Sequence, residues 1–310
     1  MTPARGGRIA GRALVGLALV LAGCTGGAAP SGGSPAAEGP ITVASFDFVE
    51  SEVLAQIYGQ ALEAKGYPVR LVSDAGTREL VVPALAEGLV DVVPEYSGSA
   101  LSFLTLGARH ASPSVEVTHQ ALIEALASSG AMALTPAPAQ DANAIVVSQA
   151  TAARYALGTI SDLANVASKL TFGGPPECRE RPLCLQGLAK VYGLTFGQFV
   201  PLDTGGPLTL QALRGGDIDV ALLFTTDPAI AADHLAVLAD NLGLQPAENV
   251  TPIVRQAVLS RYGSGVADAI NAVSARLTTQ GLQALIGQVT LAGQPARVAA
   301  ARWLEGQGLS

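Results

Sequence analysis

The sequence predicts an α/β protein of two lobes, each a mainly parallel sheet flanked by helices, with a cleft between them. Three observations predict it. The segment Ala84 to Val92 recurs as Ala212 to Val220, 128 residues further on, and Asp74-Ala75-Gly76 and Ile41 to Ala44 find counterparts at Asp203-Thr204-Gly205 and Leu170 to Gly173. Within each copy, short apolar runs of strand length alternate with segments of helical period, the pattern of right-handed β-α-β units. The first 40 residues differ in composition from everything after them.

In the first copy, a strand at 41–45 leads to a helix whose apolar positions Val53, Leu54, Ile57, Ala61 and Leu62 share one face, ended by Gly66. A strand at 69–72, a helix from Thr77 to Glu87 closed by Gly88, and a buried-type strand at 90–93 follow. The second copy repeats the order: strand 170–173, helix 185–191, strand 198–202, helix 207–214 and strand 218–223. Between the copies lie a helix within 114–130 and a strand at 144–147. Three helices, near 263–276, 279–288 and 295–305, close the chain, the last opened by Pro295. This order assigns 41–141 and 228–310 to lobe 1 and 142–227 to lobe 2, with crossings near 140 and 226. Asp91 and Asp219 precede equivalent strands in both copies, which points to a structural task.

Residues 1–23 read as an export signal. Arg5, Arg8 and Arg12 precede an apolar stretch from Ala13 to Ala22, too short for a membrane helix. Leu21-Ala22-Gly23-Cys24 resembles the lipobox of bacterial lipoproteins, which implies cleavage before Cys24, its lipidation, and an extracytoplasmic chain anchored to the outer face of the cell membrane. Residues 24–40, rich in Gly, Ala, Ser and Pro, read as a flexible tether. Of the three cysteines in the chain, this leaves Cys178 and Cys184, an even pair in an oxidising compartment and the expected disulfide. A metal site is the alternative, but no His lies nearby and no second pair exists.

Charge and motif content exclude several functions. With 18 basic against 25 acidic residues the net charge is −7, which offers no basic surface to nucleic acid. No nucleophile elbow, His-Glu-x-x-His or phosphate-binding loop is present, and His110, His119 and His234 are scattered. The sequence therefore points away from an enzyme and implies neither cofactor nor metal.

The segments Ser45 to Ser51, Ala75 to Arg78, Asp91 to Leu101, Lys190 to Leu194, Asp219 to Asp227, Val237 to Asp240 and Thr251 to Arg255 resemble the ProX/OpuC-type osmoprotectant-binding lipoproteins of bacterial ABC importers, most specifically through Pro94-Glu95-Tyr96-Ser97-Gly98. The resemblance spans roughly residues 41–305. It implies a type II periplasmic-binding-protein fold that closes two lobes on glycine betaine, choline or carnitine and delivers it to an ABC permease with its cytoplasmic ATPase. Because the chain lacks the family's full set of tyrosines, a betaine-like solute with a polar ring, such as ergothioneine, is the alternative ligand. A non-transport structural lipoprotein is the distant one.

Ligands of open α/β sheets bind beyond the carboxyl ends of strands. A trimethylammonium group has no N–H to donate, so its recognition needs aromatic faces and negative charge. Tyr96 and Phe224, five residues after Asp91 and Asp219, are expected to face each other across the cleft, with Phe46 as a third face and Asp47 or Asp141 as the charge. Helix starts near Ser51 and Thr77 offer free N–H groups to a ligand carboxylate. Gln140, Asn143 and Thr225 complete the expected wall, and Phe48 is assigned to the core.

Overall fold

The computed structural model describes residues 39–203 and 205–310. The leader 1–23, Cys24 and the tether up to residue 38 lie outside them. The elements run β1 (Ile41–Ala44), α1 (Val49–Ala64), β2 (Val69–Val72), α2 (Arg78–Glu87), β3 (Val92–Tyr96), α3 (Ser97–Leu104), α4 (Val115–Leu126), β4 (Ala131–Ala133), β5 (Asn143–Val147), α5 (Gln149–Tyr155), β6 (Thr171–Gly174), α6 (Leu185–Tyr192) and β7 (Gln198–Pro201). They continue with α7 (Pro207–Gly215), β8 (Val220–Phe224), α8 (Pro228–Ala232), β9 (Ala236–Val237), β10 (Val250–Arg255), α9 (Gln256–Tyr262), α10 (Gly265–Ser274), α11 (Thr279–Thr290) and α12 (Ala296–Gln307).

Two five-stranded sheets form, in the orders β2-β1-β3-β10-β4 and β7-β6-β8-β5-β9. The sequence repeat is thus a structural one. In each sheet the first three strands are parallel, as expected, but the last two are not: β10 runs antiparallel to β3 and β4, and β5 antiparallel to β8 and β9. The sheets are mixed because β5 and β10 each arrive from the opposite lobe. They enter at the end where β8 and β3 leave, Asn143 opposite Phe224 and Val250 opposite Tyr96.

Asp91 and Asp219 perform the same task in both copies. Each carboxylate accepts a backbone N–H from the neighbouring strand, Thr42 at 3.0 Å and Thr171 at 2.9 Å, while its own N–H bonds the carbonyl of that same residue. The aspartate locks β1 to β3 and β6 to β8 just before the strands begin.

The second crossing lies later than residue 226. After α8 the chain still adds β9 to the edge of the second sheet, and only residues 245–249 return to the first. There they run beside 139–143, with Asp141 N–H bonding Glu248 O at 3.0 Å and Val250 N–H bonding Ala139 O at 2.9 Å. These paired segments form the hinge. The missed strand is two residues long, too short to show alternation in sequence.

Each sheet is covered on both faces. Helix α1 packs with α10, α11 and α12 on the first sheet, burying Val53, Leu54, Ile57, Tyr58 and Leu62. The second lobe has its own core around Phe172, Leu163, Leu188 and Ile145, in which Cys178 and Cys184 are buried with Cα atoms 5.3 Å apart.

Candidate functional site

A cavity of about 290 Å³ opens where the two sheets meet the hinge. The first lobe contributes Phe48, Arg78, Tyr96 and Ser99, the second Leu183 and Phe224, and the crossing segments Asp141, Asn143, Gln245 and Glu248. A volume of this order suits a ligand of several heavy atoms. Cavities of about 300 Å³ and 420 Å³ adjoin it, sharing Asn143 and Gln245 on one side and Ser99, Leu183 and Glu248 on the other.

Tyr96 and Phe224 enter the same cavity from opposite lobes because they end equivalent strands, β3 and β8. The third aromatic face is Phe48. Its ring is 43% exposed and stacks 6.3 Å from Tyr96, whereas Phe46 is 2% exposed and belongs to the core around Val81 and Leu122. The expected roles of Phe46 and Phe48 are therefore exchanged. Strand β1 stops at Ala44, so the two-residue alternation that would place both rings on one face ends before either. Phe46 supports the site from beneath, 5.9 Å from Phe48 and with the Arg78 guanidinium 5.2 Å above its ring.

Acidic groups surround the aromatic faces. The Tyr96 hydroxyl donates to Glu50 Oε1 at 2.6 Å, and the Thr226 hydroxyl donates to Asp141 Oδ1 at 2.8 Å. Burial, then the neighbouring Asp141 charge, pushes Glu50 up to about 8, and burial pushes Asp141 up to about 6. Burial also raises Tyr96 well above the ordinary phenol value, so its hydroxyl remains a donor. Glu248 lies against the start of α3, accepting from Ser99 N–H at 2.9 Å and from its hydroxyl at 3.1 Å. Burial outweighs these bonds and raises it to about 7.

Among the described residues, Arg78 is the sole basic side chain in the cavity wall. Its Nε and one terminal nitrogen form a bidentate pair with Glu95 at 2.9 and 3.0 Å, Glu95 being 1% exposed beneath it. Nothing in the local sequence marks Arg78 as the partner of Glu95. A partner 17 residues away on a strand end leaves no periodic signal.

Several expected contacts lie elsewhere. Asp47 is exposed on the turn after β1 and does not line the cavity. Helix α1 begins at Val49, so Ser51 is inside its first turn and its hydroxyl accepts the Phe46 N–H at 2.8 Å. Thr77 precedes α2 at the surface, outside the cavity wall. Gln140 and Thr225 line the adjoining cavity. Thr225 ties the hinge, its hydroxyl donating to Gln140 O and accepting from Ala142 N–H while Gln283 bonds its carbonyl at 2.6 Å. Gln245 and Glu248 escaped notice because the return crossing was placed too early.

A family model for the substrate binding domain of ABC-type glycine betaine transport systems matches residues 39–306. The chain belongs to this family. Among its relatives, the glycine betaine-binding protein YehZ of Escherichia coli is 28% identical over 281 residues, covering 88% of this chain and 92% of that protein. A glycine-betaine-binding protein of Pseudomonas aeruginosa is 27% identical over 267 residues, covering 82% and 83%. A crystal structure of a glycine betaine/carnitine/choline ABC transporter protein shares the fold, with a TM-score of 0.80, 23% identity, and coverage of 87% of this chain and 99% of that one. The two-lobe architecture of this substrate-binding domain is thus the family's own. No helix among the described residues is long and apolar enough to cross a membrane.

Proposed function

We propose that this substrate-binding domain captures a small quaternary-ammonium solute of the glycine betaine, choline or carnitine class in the interlobe cavity, closes about the hinge, and hands the solute to an ABC permease driven by its cytoplasmic ATPase. The observation that carries the ligand class is the cavity wall. It sets Phe48, Tyr96 and Phe224 around one space with Asp141 and Glu248 beside them, and the one basic side chain among its described residues is already paired with Glu95. Each aromatic face over a desolvated cation contributes about 0.5–2 kcal/mol, and the carboxylates supply the balancing charge.

The chain is proposed to act outside the cytoplasm, held to the membrane by lipid on Cys24, with a Cys178–Cys184 disulfide in its second lobe. The lipobox-like sequence and the 5.3 Å Cα separation of the two buried cysteines support these readings.

The deciding experiment is a thermal-shift screen with glycine betaine, choline, carnitine, proline betaine and ergothioneine, with 3,3-dimethylbutanol as the uncharged shape analogue of choline. A ligand at 100 times its Kd adds about 2.7 kcal/mol of stability. Stabilisation by a quaternary ammonium but not by the uncharged analogue is expected. Equal stabilisation by both sinks the cation reading, and silence across the panel sinks the ligand class.

A further inference from the structure

Leu183 is 39% exposed, yet its backbone is tied to both crossing segments. It sits in the short loop between Cys178 and Cys184, whose side chains are 0% and 1% exposed in the second core. Its carbonyl accepts from Asn143 Nδ2 at 3.3 Å and from Gln245 Nε2 at 3.0 Å, and these two amides bond each other at 3.2 Å. Asn143 starts β5 and Gln245 lies on the returning segment, so both hinge strands grip this one carbonyl. On the far side, a Cβ at Gly187 would lie 2.1 Å from the Pro182 carbonyl oxygen. Glycine there lets the loop rest directly on the first turn of α6.

A core leucine needs such support for packing, but this side chain fills no core. It lines the interlobe cavity and the adjoining one, beside Ser99 and Glu248 of the opposite wall. We propose that Leu183, held by a disulfide-closed Cys178–Cys184 loop, is a specificity-determining contact of the second lobe that selects methylated ammonium heads over unmethylated ones. An ammonium that still carries N–H groups loses water against an apolar side chain without gaining an acceptor, whereas N-methyl groups gain contact. The inference rests on the interlobe cavity being the ligand site.

Calorimetry of choline and ethanolamine, directly or by competition, on the wild-type chain and on Leu183→Ala tests it. The variant should bind choline about three- to tenfold more weakly while its ethanolamine affinity changes less, so that the choline-to-ethanolamine ratio narrows. Dithiothreitol should narrow the ratio in the wild-type chain too: its two thiols pass two electrons and two protons to the cystine and close to a cyclic disulfide, leaving Cys178 and Cys184 as thiols. Circular dichroism keeps that arm to folded protein. An unchanged ratio in Leu183→Ala, with choline bound by the wild type, overturns the role of Leu183 alone. Absence of methylated-ammonium binding to the wild type overturns the functional reading beneath it. Two thiols titrating in the unfolded, unreduced Cys24→Ala chain overturn the disulfide.

Discussion

The Tyr96 hydroxyl donates to Glu50 Oε1 at 2.6 Å, joining the end of the first lobe's central strand to the first turn of its central helix. The bond gives Tyr96 two tasks. Its ring presents a face to the cavity, and its hydroxyl satisfies a buried carboxyl. Since Tyr96 is 5% exposed and packs among Val92, Val250 and Val254, it is also part of the core.

Tyr96→Ala therefore tests two things at once, and is expected to lower stability by about 3 kcal/mol as well as affinity. Phe48→Ala separates them. Its ring is half exposed and lines the interlobe cavity, so affinity for the best quaternary ammonium should fall roughly 2- to 30-fold with little change in Tm. Calorimetry with parallel melting curves checks this; wild-type affinity in Phe48→Ala would remove that ring from the site.

The Glu50 and Asp141 pair predicts a pH dependence of known sign. Both carboxyls are raised in the folded, empty protein, to about 8 and about 6, from ordinary values of 4.5 and 3.8. A group raised on folding stabilises fully below its unfolded value and loses that contribution as pH rises through its folded value. The Tm of the empty protein should accordingly fall between about pH 5 and 8. A cation favours the ionised pair, so its affinity should rise over the same window with release of protons, and Glu50→Gln should flatten both trends. Affinity that is constant or falls with pH contradicts the assignment.

Arg78 and Glu95 form the buried ion pair behind the aromatic faces. Arg78→Ala leaves Glu95 uncompensated and is expected to cost about 3–5 kcal/mol, while the double variant Arg78→Met/Glu95→Leu should recover much of the loss. Chemical denaturation of the single and double variants measures it. Equal losses in both would show that the charge pairing is not what matters.

Cys24→Ala tests the anchor. The variant should leave the membrane fraction or accumulate unprocessed, whereas its ligand affinity is expected to match the wild type, because the described residues that line the cavity fall between Phe48 and Glu248. Unchanged processing and fractionation would refute lipidation at Cys24.

How far the site was legible depended on which residues carried a local signal. Tyr96, Phe224, Asp141 and Asn143 could be placed because each ends, starts or directly precedes a strand that the repeat or the apolar pattern reveals, and strand ends face the cleft in this architecture. Arg78, Gln245 and Glu248 could not, since their partners Glu95, Leu183 and Ser99 are set by the hinge and by packing between elements distant in the chain.

The sequence by itself determined the two α/β copies, their order of strands and helices, the structural task of Asp91 and Asp219 at equivalent places in both, and the acidic balance that offers nucleic acid no basic surface. These follow from local periodicity, chain connectivity and composition, which need no knowledge of what packs against what. Only the tertiary structure decided that Phe48 and not Phe46 lines the cavity, that β5 and β10 run antiparallel, and that the return crossing carries Gln245 and Glu248 into the wall. The physical reason is common to all three. Outside regular strands and helices no periodic rule links neighbouring side chains to a face, and the direction of a crossing segment is set by the lobe it enters.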